Sequence, residues 1–194
     1  MLRKTSLAAL ALMLCTYASA QTPPQKPQAP DPTPPPRGTM SFPPVTDVER
    51  QPLTPANFVT RAAIANLTEI ELGQMALQKS GDPAVKQLAQ QMINHHRTAH
   101  DELKAVAARQ HLSAPATVDA DRKKDFEELK KLEDKAFDRK YLEAIAAAHD
   151  EAVALFDAAR QNAELPVDLK SYASESLAAV KEHRKTVETL KATE

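Results

Sequence analysis

The positions of the prolines after residue 55 constrain the fold of this chain more strongly than any other feature of its sequence. Three prolines follow that point, Pro83, Pro115 and Pro166, in a sequence rich in Ala, Leu, Glu, Lys and Gln. These residue types favour helices, whereas proline is tolerated in the first turn of a helix but disrupts its interior. Each proline therefore marks a break between helices. We predict helices over residues 57–79, 83–110, about 119–132, 134–160 and 167–191.

Four of these predicted helices are long and amphipathic, with an apolar stripe along one face. On the 134–160 helix the stripe consists of Phe137, Tyr141, Ile145, Ala148, Ala152 and Leu155. Each stripe needs a partner surface, and the sequence contains no alternating strand pattern that would supply one. We therefore predict an all-α fold, a four-helix bundle with an extra short helix between the second and third long helices. Both an up-down-up-down order and a crossover through residues 111–133 fit the spacing.

The first twenty residues have the pattern of a secretory signal peptide. Arg3 and Lys4 form its charged start, residues 7–14 form its apolar run, and Ala18-Ser19-Ala20 is a small-residue cleavage site. We predict cleavage after Ala20, export to the periplasm and no membrane-spanning helix in the mature chain. Cys15, the only cysteine, would leave with the signal peptide, so the mature chain would have no thiol. Lipid attachment at Cys15 and association with the cell envelope stay open.

Composition divides the rest of the chain in two. Most of the prolines lie between Pro23 and Pro55, where large apolar residues are few. We therefore predict a disordered Pro-rich linker over residues 21–55 and the four-helix bundle domain over residues 56–194. The formal net charge is −1, which argues against a nucleic-acid partner. The protein partner is not indicated, and homo-oligomer formation stays open.

Each long helix has one polar side chain on its inward face. These residues are Glu69, His96, His149 and His183. All four lie near the middle of their helices, so one shared layer is compatible with either helix order. Three imidazoles and a carboxylate in a dry interior are costly unless they satisfy one another, and one divalent metal ion can do that. We predict a metal site at these four residues, for Zn, Fe, Cu or Mn.

A metal-free alternative also fits this pattern. The same four side chains could form a buried hydrogen-bond and charge network that holds the helices in register. Three other histidines are expected to lie in solvent: His95, His100 and His111. Three carboxylates near the site could orient the ligating rings: Asp150, Glu151 and Glu182.

Four segments of the chain resemble a known family. They are FVTRAAIANLTEIELG (58–73), DPAVKQLAQQMINHHRTAHDEL (82–103), FDRKYLEAIAAAHDEAVAL (137–155) and LAAVKEHRKTVETL (177–190). Together they are similar to the exported bacterial family called domain of unknown function 4142, whose members are often labelled predicted outer membrane proteins. The resemblance implies a ferritin-like four-helix bundle. The family's Glu-x-Glu-Leu-Gly motif and its three helix-borne histidines fall on Glu69, Glu71, His96, His149 and His183.

One departure from ferritin-like proteins limits the chemistry that the resemblance implies. Di-iron sites of that class use Glu-x-x-His pairs, whereas the residues three positions before the histidines are Ile93, Ala146 and Val180. We therefore expect a single-metal site or a metal-free core. The leading prediction is a non-enzymatic periplasmic helical-bundle protein with an interior metal site. The alternatives are a metal-dependent oxidoreductase of the ferritin-like type and a metal-free structural or interaction module of the cell envelope.

Overall fold

The computed structural model describes residues 52–193, and the predicted signal peptide and most of the predicted linker lie outside them. The described residues form helices and connecting segments, with no strand among them. The helices are α1 (Pro55–Lys79), α2 (Pro83–Arg109), α3 (Ala120–Lys130), α4 (Asp134–Gln161) and α5 (Val167–Lys191). The predicted all-α bundle of four long helices with one extra short helix is confirmed. Its ferritin-like character stays a prediction.

The first three helices begin where side chains satisfy their free backbone N–H groups. The Thr54 hydroxyl accepts a hydrogen bond from the N–H of Asn57 at 3.2 Å, with Pro55 in the first turn of α1. The Asp82 carboxylate accepts from Ala84 before α2, and the Asp119 carboxylate caps α3. The helix starts therefore lie within a few residues of those predicted from the sequence.

The connection between α2 and α4 is a crossover. Buried residues at the end of α1 and the start of α2 pack with the first half of α4 and the end of α5. An ion pair of 2.6 Å between Lys79 and Glu133 joins the end of α1 to the start of α4. The chain must therefore return along the bundle between Gln110 and Glu133, and α3 lies on this path. As a result α4 runs parallel to α2 and α5 runs parallel to α1.

The core of the bundle consists of two hydrophobic clusters, one towards each end. The first core cluster contains Leu72, Met92, Phe137, Ile145 and Val187 among its members. The second core cluster contains Phe58, Ala63, Leu103, Ala152 and Val180 among its members. On every long helix the two clusters are separated by about one turn or more. The helix pairs are thus joined by two apolar layers with a gap between them.

A close approach of α1 and α2 holds one side of the bundle together. A Cβ atom added at Gly73 would lie 2.8 Å from Cγ1 of Ile93 and 3.0 Å from the carbonyl oxygen of Ala89. These distances are shorter than van der Waals contact, so only glycine fits at this position without a shift of the helices.

Within residues 52–193, no helix is long and apolar enough to cross a membrane.

Candidate metal centre

The gap between the two core clusters contains buried polar side chains from all four long helices, among them one inward Glu or His from each. Glu69 lies between Ala63 and Leu72 along α1, and His96 follows Met92 on α2. His149 on α4 and His183 on α5 occupy the corresponding positions. All four are buried: the exposed fraction is 0% for Glu69 and His149, 5% for His96 and 7% for His183. The bundle thus contains a polar layer at mid-height, enclosed by apolar layers on both sides.

Glu69 contacts two of the three histidines through one carboxylate oxygen. Its Oε2 atom lies 2.9 Å from Nε2 of His96 and 2.8 Å from Nε2 of His149. These are hydrogen-bonding distances, yet both carboxylate oxygens and both Nε2 atoms lack a hydrogen-bond partner of adequate geometry. A hydrogen bond also requires the N–H to point at its acceptor, which a short distance alone does not ensure. The atoms converge without forming hydrogen bonds.

The third histidine completes a cluster of imidazoles. His96, His149 and His183 each offer one nitrogen, and these nitrogens lie within 4.8 Å of one another. Adjacent nitrogens bound to one ion at about 2.1 Å lie roughly 3 to 3.5 Å apart, so the rings would move inward by about an ångström to share an ion. Glu69 lies against His96 and His149, whose Nε2 atoms face its Oε2 atom. The four residues singled out in the sequence therefore form one cluster, with the carboxylate on the side of His96 and His149.

A hydrogen-bonded chain behind His96 sets the orientation of its ring. Nδ1 of His96 lies 3.0 Å from Oδ1 of Asn66, and the Asn66 amide donates to the Tyr172 hydroxyl at 2.9 Å. With the amide in this orientation, Nδ1–H of His96 is the donor to Asn66. The remaining nitrogen, Nε2, then faces Glu69. This arrangement matches the way in which metal-ligating histidines are held by a hydrogen bond to their second nitrogen.

The electrostatics favour an ionised carboxylate and a neutral His183. Burial by itself raises the pKa of Glu69, but the charges of His96 and His149 outweigh this effect and hold the pKa well below its usual range. Burial lowers the pKa of His183 to about 3, and the charge of His96 adds to the shift. Burial and the charge of Glu69 raise the pKa of Tyr141, whose buried hydroxyl also lacks a hydrogen-bond partner. Metal binding needs a charged carboxylate and a neutral imidazole.

Helical phase did not identify every residue at this layer. Asn66 was missed, although it lies three positions before Glu69 and therefore on the same side of α1. Tyr141 was assigned to the apolar stripe of the 134–160 helix, and its unpaired hydroxyl could not be inferred from spacing. The sequence feature that could have identified Asn66 is an amide side chain on the inward face of α1.

The expectation that three histidines lie in solvent is wrong for one of them, His100. His100 is buried, with 8% of its surface exposed, because α2 turns this face towards its neighbours. His95 is exposed but its Nδ1 atom lies 2.6 Å from Nε2 of His183, a contact that only the packing of α2 on α5 creates. His111 is exposed, as expected.

The three carboxylates expected to orient the rings have other partners. Asp150 pairs with Arg184 at 2.9 Å, and Glu182 pairs with Lys185 at 2.7 Å. Glu151 pairs with Arg122 at 2.7 Å. These acidic groups lie towards the surface of the bundle, where basic side chains are close enough to form ion pairs with them. The ring orientation at His96 is instead set by the amide of Asn66.

Comparison with known proteins agrees with this architecture. A solved structure described as "CopM in the Cu(II)-bound form" is similar to this chain, with a TM-score of 0.63 and 19% sequence identity. The match covers 74% of this chain and 99% of that one, and at this identity it supports the fold alone. No curated protein shows significant similarity to the chain. The sequence profile of the family described as domain of unknown function (DUF4142) matches residues 43–190. The chain therefore belongs to this family, as its sequence segments predicted.

Proposed function

We propose that this protein binds a single divalent transition-metal ion in the middle of its bundle. The ligands are the carboxylate of Glu69 and the imidazoles of His96, His149 and His183. One observation carries the proposal: these side chains converge between two apolar layers, and their facing atoms lack hydrogen-bond partners. The protein acts as a metal-binding component of the periplasm, to which its N-terminal signal directs it.

The energetics of burial support a metal over a metal-free network. Each buried polar atom without a partner costs roughly 1–3 kcal/mol, and Oε2 of Glu69, Nε2 of His96 and both nitrogens of His149 are all in this state. A metal-free network would need N–H groups aimed at Oε2 from both rings, and would still leave Nδ1 of His149 unpaired. One ion satisfies several of these atoms at once without a separate partner for each.

The chemistry of the ligands selects a group of metals with Cu(II) as the first candidate. Imidazole suits Zn, Cu and Fe, while carboxylate extends the choice to Mn. We place Cu(II) first because imidazole ligands suit it and because it is the ion named for the CopM structure of similar fold.

The surroundings of the site favour metal binding over turnover of an organic substrate. The cavity that adjoins His96 and His183 has a volume of about 30 Å³. Sites for organic molecules are roughly ten times larger, whereas this space accommodates a water molecule. A role in holding or transferring the ion therefore fits the site better than oxidoreductase chemistry does.

Metal stoichiometry tests the proposal. Tag-free mature protein is stripped with a chelator and titrated with Cu(II), Zn(II) and Mn(II), and bound metal is counted after gel filtration. We expect one ion per chain for the wild type and for the control His111→Ala, whose histidine is exposed away from the site. The variants His96→Ala and His183→Ala should lose this ion. Equal substoichiometric metal in all four proteins would leave only the metal-free network.

A further inference from the structure

A contact between His95 and His183 connects the buried histidines to the protein surface. His95 is exposed on α2, and its Nδ1 atom lies 2.6 Å from Nε2 of His183 on α5. The two ring centroids are 4.8 Å apart and the ring planes differ by 13°. Because a ring nitrogen lies about 1.1 Å from its centroid, an in-plane contact of 2.6 Å accounts for this centroid distance. The rings therefore meet edge to edge, as an N–H···N hydrogen bond requires, and they are not stacked face to face.

This hydrogen bond leaves one nitrogen of His183 directed away from the surface. Nδ1 of His183 is buried and has no hydrogen-bond partner. The two nitrogens of an imidazole point in diverging directions, so a ring whose Nε2 faces His95 directs Nδ1 away from that residue. The hydrogen bond at one nitrogen also determines which nitrogen carries the proton. His95 can thus decide which atom of His183 is free to bind a metal ion.

We propose that His95 is a positioning residue that selects Nδ1 of His183 as the metal-ligating atom. Nδ1 of His95 accepts a hydrogen bond from Nε2–H of His183, which keeps the proton off Nδ1 and holds the ring in place. In metal sites this second N–H is usually donated to a carboxylate, a backbone carbonyl or water. Here an exposed imidazole accepts it. The inference rests on the proposed function, because it assigns a ligand atom within that site.

His96 and His183 then bind the ion through different ring nitrogens. On His96 the Asn66 amide accepts from Nδ1 and leaves Nε2 for the ion, whereas on His183 the partner is at Nε2 and leaves Nδ1. The partner of His96 is buried, with Asn66 only 3% exposed. The partner of His183 lies at the surface, beside the cavity of about 30 Å³ that adjoins both rings. Replacing His95 therefore removes no core side chain, so its variants report on positioning and not on folding.

Nuclear magnetic resonance gives the direct test. Long-range ¹H–¹⁵N spectra of ¹⁵N-labelled mature protein distinguish a protonated, a bare and a metal-bound ring nitrogen. With diamagnetic Zn(II) as the probe, we expect a zinc-bound Nδ1 and a protonated Nε2 at His183. Zinc on Nε2 of His183, or on either nitrogen of His95, overturns the proposal. The same spectra of metal-free protein should show Nε2–H at neutral His183, and Nδ1–H there overturns the proposal even when zinc does not bind.

Zinc affinity provides the second test. His95→Ala removes the acceptor, whereas His95→Asn retains one, because the Asn oxygen occupies nearly the position of Nδ1. We expect His95→Ala to weaken zinc binding roughly 10- to 100-fold and His95→Asn to remain within roughly threefold of the wild type. His111→Ala is the matched control and should not change the affinity. Equal weakening by both His95 variants, or no weakening by either, overturns the positioning role. Absence of zinc binding in the wild type would instead refute the proposed metal site.

Discussion

The carboxylate of Glu69 is the group at which a metal site and a metal-free network make opposite predictions. Glu69→Gln keeps the shape of the side chain and removes its charge from a fully buried position with two imidazole nitrogens 2.8 and 2.9 Å away. Glu71→Gln is the matched control, since Glu71 lies two residues further along α1 and is partly exposed. The two variants make the same chemical change on the same helix.

The expected size of the effect follows from linkage. An ion present at a hundredfold excess over its Kd stabilises the native state by about 2.7 kcal/mol. A domain of about 140 residues has an unfolding entropy near 0.3 kcal/mol/K, so the wild-type Tm should rise by about 9 °C. If Glu69→Gln weakens binding about a hundredfold, the remaining stabilisation is about 0.4 kcal/mol and the Tm rises by only about 1 °C. Glu71→Gln should retain the full rise.

Calorimetry of chelator-treated, tag-free protein with and without Cu(II) or Zn(II) measures these shifts. The metal site is supported if Glu69→Gln loses the metal-induced rise in Tm while the wild type and Glu71→Gln keep it. An equal rise in all three proteins shows that the ion binds elsewhere. A buried charge pair that loses one partner costs about 3–5 kcal/mol, which is about 10–17 °C for a domain of this size. If the wild type shows no rise while metal-free Glu69→Gln loses that much, the metal-free network is correct and our reasoning is refuted.

Three further predictions concern the metal-free protein. The pKa of His183 is about 3, below its ordinary value of 6.5, so between these pH values the unfolded chain binds a proton that the native state does not. The free energy of unfolding should therefore fall as the pH drops through this window, which urea titrations at several pH values can measure, and His183→Asn should reduce the slope. Gly73→Ala places a Cβ 2.8 Å from Ile93, and this overpacking should destabilise the native state by about 1–3 kcal/mol. The higher helix propensity of alanine should offset up to about 1 kcal/mol of that cost. Gly81→Ala has open space around it and should be neutral or slightly stabilising, so equal midpoints for the two variants would contradict the close packing of α1 and α2. Tyr172→Phe removes the partner of the Asn66 amide and should cost about 1 kcal/mol; an unchanged urea midpoint would show that this hydrogen bond contributes nothing.

The helices and the inward position of the four polar residues followed from local rules. Helix propensity, capping residues and proline positions act within a few residues of one another, so the chain displays them directly. The 3.6-residue period also assigns each side chain to a face of its own helix. That was sufficient to select His96 over its neighbour as an inward residue and to place Glu69, His149 and His183 on buried faces, as the structure has them.

Helical phase was less reliable at the edges of each face. His100 was expected in solvent and is buried, because the width of the buried face depends on how closely neighbouring helices approach. The carboxylates near the site were expected to orient the rings, yet they pair with basic residues at the surface, for example Asp150 with Arg184. A single sequence shows which side chains point roughly inward but not which partner each one meets.

The sequence by itself determined that the chain forms four amphipathic helices and that each carries a polar group at mid-height on its inward face. Only the tertiary structure decided that the connection through α3 is a crossover, that Glu69 contacts His96 and His149, and that His95 bonds to His183 across α2 and α5. The physical reason is that periodicity describes a helix about its own axis. Contacts between helices depend on their order around the bundle and on their relative heights, which are set by packing of the whole core.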